Sequence, residues 1–510
     1  DLTFKTGDTY LSFENIYKNV VKYLHLELDY DYFKELLLEL KNELKIEIKD
    51  DKYYLMELYD ATNNIVYKFN YLMNKEKTKY KNLDDSIKQL EEFNGIIYND
   101  KQRLAIKKAL ENNLLIITGG PGTGKTMIIK AIVEIYKNLN KYSNSDLEKN
   151  VALLAPTGRA SKRLSESTTL PASTIHRFLK WNKENNTFAI NEYNPDFSQL
   201  IIVDEVSMID IALMDNLLKG LTNNIKLVLV GDHNQLPSVG PGMLLKDLID
   251  SEVIDTVHLD ILYRQKENSY IPVLANEIRN DDLGDFLSTK DDYTFLACNG
   301  NSIISNLTKI CKQIIDKGYD YKSFQVMAPM YAGINGIDNL NKALQNIFNP
   351  SSSDKKEVKY GDIVYRVNDK VLQLVNDPDN NIFNGDIGII SSIKSGIQTK
   401  SGKVEVVIDF DGNLVNYQVK DLGNIKHGFI ISIHKSQGSE FDLVVIPVTH
   451  SYNRMLYRKL IYTGITRAKK KLILIGEPDA FINSVHSNAE QIRRSDMIDK
   501  LQEMCIKINS

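Results

Sequence analysis

The sequence predicts an α/β protein of two lobes, each built on a parallel sheet, with a small β-barrel inserted in the second lobe and a helical module in front. Three observations predict it. From residue 96 onward, short apolar runs alternate with helical patterns, the texture of strands buried on both faces. The runs fall into two separate sets, one at 114–118, 151–155, 200–203 and 226–230, the other at 325–328, 430–433, 443–447 and 471–475. Between the halves of the second set lie strand-like segments at 371–375, 387–393, 404–410 and 414–419, with the hairpin signals Asn384-Gly385 and Asp411-Gly412.

Each part follows from its pattern. Over 13–77, apolar residues recur at helical spacing (Val20, Val21, Tyr23, Leu24; Phe33, Leu36, Leu37, Leu40, Leu44), broken by strand-like pieces at 46–48 and 53–56. Residues 1–95 therefore form a helical, winged-helix-like module, to which no catalytic spacing assigns a site. Lobe one spans 96–262, lobe two spans 263–363 and 428–510, and the barrel spans 364–427. The 510 residues carry 63 Lys and Arg against 67 Asp and Glu, so contact with a polyanion has to come from local patches. With 43% hydrophobic and 25% charged residues, the composition excludes a disordered, collagenous or membrane-embedded chain. Cys298, Cys311 and Cys505 form neither a disulfide framework nor a zinc site, and a reducing cytoplasm is the expected home. The first residue is Asp1, so a fragment or processed chain is expected.

The chemistry concentrates at strand ends. Gly119, Gly120, Pro121, Gly122, Thr123, Gly124, Lys125 and Thr126 follow a strand and open a helical pattern. Glycines there let backbone N–H groups turn toward phosphate oxygens at the positive end of the helix. Lys125 is expected against the β- and γ-phosphates and Thr126 on Mg2+. Asp204 and Glu205 end another buried strand, a costly pair unless a metal or a water uses it. Asp204 is expected to hold the metal through its hydration shell and Glu205 to deprotonate the attacking water. Gln235, past the strand ending at Gly231-Asp232, is a candidate γ-phosphate sensor.

These segments form an ordered series: 119–126, Ala155-Pro-Thr-Gly-Arg159-Ala, Asp204-Glu-Val-Ser207, Gly231-Asp-His-Asn-Gln235-Leu-Pro, Tyr263-Arg264-Gln265, His434-Lys-Ser-Gln-Gly438-Ser-Glu440-Phe and Tyr462-Thr-Gly-Ile-Thr466-Arg467-Ala-Lys. In order and spacing the series resembles that of superfamily 1 DNA helicases. Leu170-Pro-Ala-Ser-Thr-Ile-His176 and Met327-Ala-Pro-Met-Tyr-Ala-Gly-Ile-Asn-Gly336 are most similar to the RecD branch in its stand-alone form. The likeness covers nearly all of 98–494. Gly464 stands where the family usually has Ala, and the family's extended N-terminal region is expected to be missing. The resemblance implies RecA-like lobes and an SH3-like barrel. It also makes Gln102 an adenine contact, Glu440 a ribose contact, and Arg264 and Arg467 the arginines that reach the γ-phosphate from lobe two.

A motor of this kind needs a strand path that combines cations with flat groups. On lobe one the candidates are Pro156, Thr157, Arg159, Thr174, His176 and Phe178. On lobe two they are His434, Lys435 and Ser436, with Asn335 and Asn341 behind them. Lys469-Lys470-Lys471 reads as a solvated approach to a strand. The β-prone runs 178–181 and 187–190, joined by Asn182-Lys-Glu-Asn-Asn186, predict a hairpin within 178–198, and the resemblance implies a pin at the fork. The alternative is a hairpin that packs Trp181 on lobe one. The function implied is an ATP- and Mg2+-dependent helicase moving 5′ to 3′ on single-stranded DNA and opening tailed duplexes in repair or recombination. It is expected to act as a monomer with no membrane contact. A P-loop phosphotransferase would need no second α/β lobe, and a nucleotide-switched DNA binder would need no Glu205.

Overall fold

The computed structural model describes residues 2–26, 28–182, 184–260, 269–321, 323–377, 379–380, 382–399, 401–487 and 493–509. Lobe one is a six-stranded sheet in the order Thr256–Leu259, Leu114–Gly119, Lys226–Gly231, Leu200–Val203, Val151–Ala155, Ala172–Thr174. Every pair in it is parallel. All residues of the four central strands are buried, which is why their runs show no alternation. Gly231 pairs with Thr118 and Leu229 with Val203, so the chain leaves at Gly119, Asp232 and Asp204 along one sheet edge. In an open parallel sheet, that carboxyl edge is where a ligand meets backbone and helix ends.

Lobe two repeats the plan with five parallel strands, in the order Tyr293–Ala297, Ala468–Gly476, Phe441–Val448, Phe324–Ala328, Ile430–Ser432. Inserted before its edge strand is an antiparallel sheet in the order Asn413–Gln418, Glu405–Phe410, Ile387–Lys394, Lys370–Gln373, Ile425–His427. The turn at Asp411-Gly412 has positive φ at both residues (53° and 91°), as a tight hairpin of right-handed twist requires. The insertion has its own apolar core, including Tyr365, Val371, Ile390, Val406, Ile408 and Tyr417.

The joint between insertion and lobe two is polar. Asp369, fully buried, accepts from the side chains of Gln345 (2.7 Å) and Asn349 (2.7 Å) and from the Arg366 backbone N–H (2.7 Å). Beside it burial pushes the Lys370 amine down to about 7, and that amine meets the carbonyls of Tyr321 and Phe324. Asp369→Ala leaves these donors without an acceptor, so a loss of about 3 kcal/mol is expected, read as a lower denaturation midpoint. A midpoint equal to that of the parent would contradict the accounting.

At the front, Tyr10–Ser12, Lys52–Leu55 and Ile46–Lys49 form a small antiparallel sheet against the helices Phe13–Leu24 and Tyr30–Asn42. The packing changes character at Leu55. Helix Met56–Asn74 places Ala61, Ile65, Val66, Phe69 and Leu72 in the core of lobe one, and Leu83–Asn94 buries Leu83, Ile87 and Leu90 there too. The last helix, Met497–Asn509, was expected with lobe two but also joins lobe one, through Met497 and Leu501. Just ahead of it, Arg493 donates to the carbonyls of Ser238, Gly240 and Gly242, and the buried hydroxyl of Tyr54 donates to Asp496 at 2.9 Å. Among the described residues, no helix is long and apolar enough to cross a membrane.

Candidate active site in the cleft between the lobes

The glycine-rich loop connects Leu114–Gly119 to helix Lys125–Asn140. Gly122 and Gly124 have φ of 78° and 87°, a conformation open to glycine at little cost, and a Cβ on Gly124 would lie 2.6 Å from the Gln102 amide. Lys125 donates to the carbonyls of Gly119 (2.6 Å) and Gly120 (2.9 Å), and the Thr123 hydroxyl donates to Gly120 (2.8 Å). Pro121 and Thr126 are half-buried at the same loop. Gln102 is fully buried with both ends of its amide engaged, Nε2 donating to the Thr123 carbonyl and Oε1 accepting from Asn99. In this state it braces the loop and presents no open polar edge to a base.

Asp204 and Glu205 leave the strand Leu200–Val203 into a tight turn in which Glu205 has φ 55°, and both are buried. Burial and then the neighbouring Glu205 carboxylate push Asp204 up to about 6. Burial also works against charge on Glu205, yet Arg163, followed by Arg467 and Lys125, outweighs it and holds the group below the usual carboxylate range. The Arg163 guanidinium lies 2.8 Å from Glu205 Oε1, 3.9 Å from Asp204 Oδ2 and 3.1 Å from Glu440 Oε1. Sequence reasoning missed this residue. Its signal was one helical turn: Arg163 stands four residues after Arg159 on helix Gly158–Thr168.

Lobe two closes over the loop. A Cβ on Gly120 would sit 3.1 Å from the Tyr462 hydroxyl, which donates to Asp232 Oδ2 at 2.9 Å. Gln235 Nε2 donates to the same Asp232 oxygen at 3.2 Å, while its buried Oε1 has no partner. The hydroxyl of Thr463 accepts from the Leu236 N–H (3.0 Å), and the Gln437 amide donates to the Leu236 carbonyl (3.1 Å). Arg467 is buried and donates to the carbonyls of Thr463 (3.1 Å) and Ser439 (3.2 Å). Glu440 lies between Arg163 and Lys469 (3.5 Å). Arg264 falls outside the described residues.

Among the described residues, no cluster of three or more His, Cys, Asp or Glu could hold a metal alone. The donor set instead suits Mg2+ held by one hydroxyl, one carboxylate and phosphate oxygens: Thr126 opens the helix behind the loop, and Asp204 ends a strand of the same edge. The residues present fit that ion.

The strand candidates divide. Pro156 and Thr157 lead into helix Gly158–Thr168, where Thr157 caps the Ala160 N–H, and Thr174 caps Arg177 in the short helix Ile175–Phe178. Arg159 donates to the Ser439 hydroxyl at 2.7 Å and lies 3.7 Å from Asp386 of the insertion. A cleft of about 390 Å3 runs between that helix and the insertion, with Arg159, Lys162 and Arg177 facing Phe383 and Phe410. His176 is half-buried, its ring 6.0 Å from that of Trp181 and 5.8 Å from that of Phe188, and burial holds it below its ordinary pKa. His434 is lowered for the same reason, and Lys435 donates to Asn384 of the insertion at 2.6 Å.

Four expectations need correction. Phe178 lies in a helix and packs on the core of lobe one, because the run 175–178 is capped by Thr174 before any strand begins. The hairpin pairs Trp181–Asn182 with Thr187–Phe188, and backbone bonds from Ala189 to Lys180 and from Ile190 to Leu179 continue it to the end of that helix. Ser436 is fully buried with its hydroxyl donating to Ile433, so it shapes a turn. Asn341 pairs with both the N–H and the carbonyl of Ile430, so its amide serves the fold, whereas Asn335, also buried, donates to Gly300 and leaves its Oδ1 without a partner.

Comparison with known proteins agrees with the geometry. An AAA domain matches residues 102–241, the SH3 domain of ATP-dependent RecD-like DNA helicases matches 340–410, and a UvrD-like helicase C-terminal domain matches 427–475. The chain belongs to the RecD-like helicases. The ATP-dependent RecD2 DNA helicase of Deinococcus radiodurans is 32% identical over 383 residues, 75% of this chain and 50% of that protein. The RecBCD enzyme subunit RecD of Buchnera aphidicola is 28% identical over 516 residues, 86% of this chain and 82% of that one. This RecD-like chain thus spans about half the length of the first relative. Among solved structures, a Pif1 helicase from Bacteroides in complex with ADP-AlF3 and single-stranded DNA aligns with 81% of this chain and 98% of that one, at 17% identity and a TM-score of 0.46.

Proposed function

We propose that this chain is the motor of an ATP-dependent DNA helicase that moves 5′ to 3′ along single-stranded DNA and serves repair or recombination in the cytoplasm as a monomer. One observation supports the reading: Asp204 and Glu205 of lobe one and Arg467 of lobe two are buried at one seam, where Arg163 joins Glu205 to Glu440 and Tyr462 joins Asp232. A nucleotide there touches both lobes, so its binding and loss can move one against the other. Glu205 is proposed to take the proton of the attacking water, Lys125 to offset phosphate charge, Gln235 to sense the γ-phosphate, and Arg467 and Arg264 to stabilise the charge that develops. Thr126, and Asp204 through the ion's hydration shell, would hold Mg2+, which would add compensation of phosphate charge. Gln102 is proposed to take the base by exchanging its present partners, and Glu440 to take the ribose while its Oε1 keeps Arg163.

The strand is proposed to cross Pro156, Thr157, Arg159, Thr174 and His176 on lobe one, and His434 and Lys435 on lobe two, with the cleft against the insertion, lined by Arg159, Lys162 and Arg177 and by Asp386 and Asp411, on its path. Duplexes with a 5′ single-stranded tail are expected to open with ATP and Mg2+, and 3′-tailed duplexes to stay closed. Efficient opening of 3′-tailed duplexes alone would contradict the polarity.

A further inference from the structure

Three consecutive residues of lobe two lie along one helix of lobe one. Gly438, at φ 74°, packs so closely that a Cβ would sit 3.0 Å from Thr157 Oγ1 and 3.4 Å from Ala160 Cβ. Ser439 accepts from Arg159 at 2.7 Å, and Glu440 takes Arg163 at 3.1 Å. The carbonyl of Ser439 also accepts from Arg467 at 3.2 Å. The helix, Gly158–Thr168, presents Arg159, Ser161, Lys162 and Ser165 to the cleft shared with the insertion, where Arg159 and Lys162 face Asp386 (3.7 Å) and Asp411 (3.0 Å). One turn beyond Arg159, Arg163 holds Glu205 at 2.8 Å.

We propose that Arg163 is a positioning residue that couples occupancy of the cleft to the catalytic base, by forking between Glu205 of lobe one and Glu440 of lobe two. The inference rests on the reading of this cleft as the nucleotide site. Strand phosphates entering the cleft compete with Asp386 and Asp411 for Arg159 and Lys162, and so pull on the helix that carries Arg163. Its planar fork meets Glu205 through one nitrogen and Glu440 through the other, fixing Oε1 of the base. A lysine places one ammonium and cannot reproduce that bridge.

The test compares the parent protein with Arg163→Ala and Arg163→Lys, measuring kcat and KM for ATP with and without saturating oligothymidylate, together with oligothymidylate affinity. Arg163→Ala is expected to lower DNA-stimulated kcat by about 100-fold while KM and DNA affinity stay within about threefold, the pattern of a lost transition-state contribution. Arg163→Lys is expected to recover part of the unstimulated kcat but less than about a third of the stimulation, since one point charge replaces the fork. Should the alanine variant not fold, the lysine variant decides. Full stimulation in either variant, or KM and DNA affinity shifting as much as kcat, overturns the proposal. Absence of any DNA stimulation in the parent would instead overturn the motor reading on which the proposal stands.

Discussion

Lys125→Ala is expected to abolish ATP hydrolysis and weaken nucleotide binding, whereas Glu205→Gln keeps binding and loses turnover. The Lys125 amine rests on the Gly119 and Gly120 carbonyls at 2.6 and 2.9 Å, so a cation is already stationed at the mouth of the loop. Its removal takes charge compensation from bound phosphates in ground and transition state alike. Glutamine at 205 retains an oxygen to accept from Arg163, so the local arrangement survives, but the amide takes no proton from water. Both variants should fall by about 1,000-fold or more in kcat, as losses of an electrostatic clamp or a base in phosphoryl transfer do. Equilibrium binding of a fluorescent ATP analogue separates them: an equal loss of affinity in both would refute the division of roles.

The second large effect concerns the hairpin. Trp181 pairs with Phe188, and both rings meet His176, whereas the tip beyond Asn182 and Thr187 is held by local bonds such as those from the Glu184 and Asn185 N–H groups to Asn182 Oδ1. Replacing Asn182 to Thr187 by Asn-Gly therefore removes the tip and keeps the aromatic pair. Opening a base-pair step costs about 1.4 kcal/mol of stacking, a factor of about ten, and a motor pulling one strand needs an obstacle to exclude the other. The shortened protein is expected to keep DNA-stimulated hydrolysis within about twofold while unwinding falls about tenfold or more. Stopped-flow strand separation at the parent rate would make the hairpin a packing element.

What could be read from the sequence follows from the range of the interactions. The loop 119–126 and Asp204-Glu205 were legible because backbone phosphate binding and a buried carboxylate pair are local demands, met within a few residues. The four central strands of lobe one were legible to within one residue because burial on both faces leaves uninterrupted apolar runs, whereas Ala172–Thr174, Thr256–Leu259 and Tyr293–Ala297, partly exposed, left no such run to read. Helices Met56–Asn74 and Met497–Asn509 show an apolar stripe, but a stripe says only that something covers it. That lobe one covers both is fixed by contacts hundreds of residues apart, such as Tyr54 with Asp496. Ser436 and Asn341 carry polar side chains typical of a binding surface, and only the fold shows them satisfied by the Ile433 and Ile430 backbone. Arg163 was passed over because Arg159, in the recognisable segment one turn earlier, drew the assignment.

Steady-state ATP hydrolysis by the parent protein, with and without oligothymidylate, tests the central claim most directly. The proposed ATPase, with its cleft completed by lobe two and coupled to the strand path through the helix Gly158–Thr168, is expected to turn over faster when a strand is bound. The result expected is a kcat raised about tenfold or more by single-stranded DNA, comparable to the gain from completing a catalytic constellation. Hydrolysis at the same rate with and without DNA would contradict it.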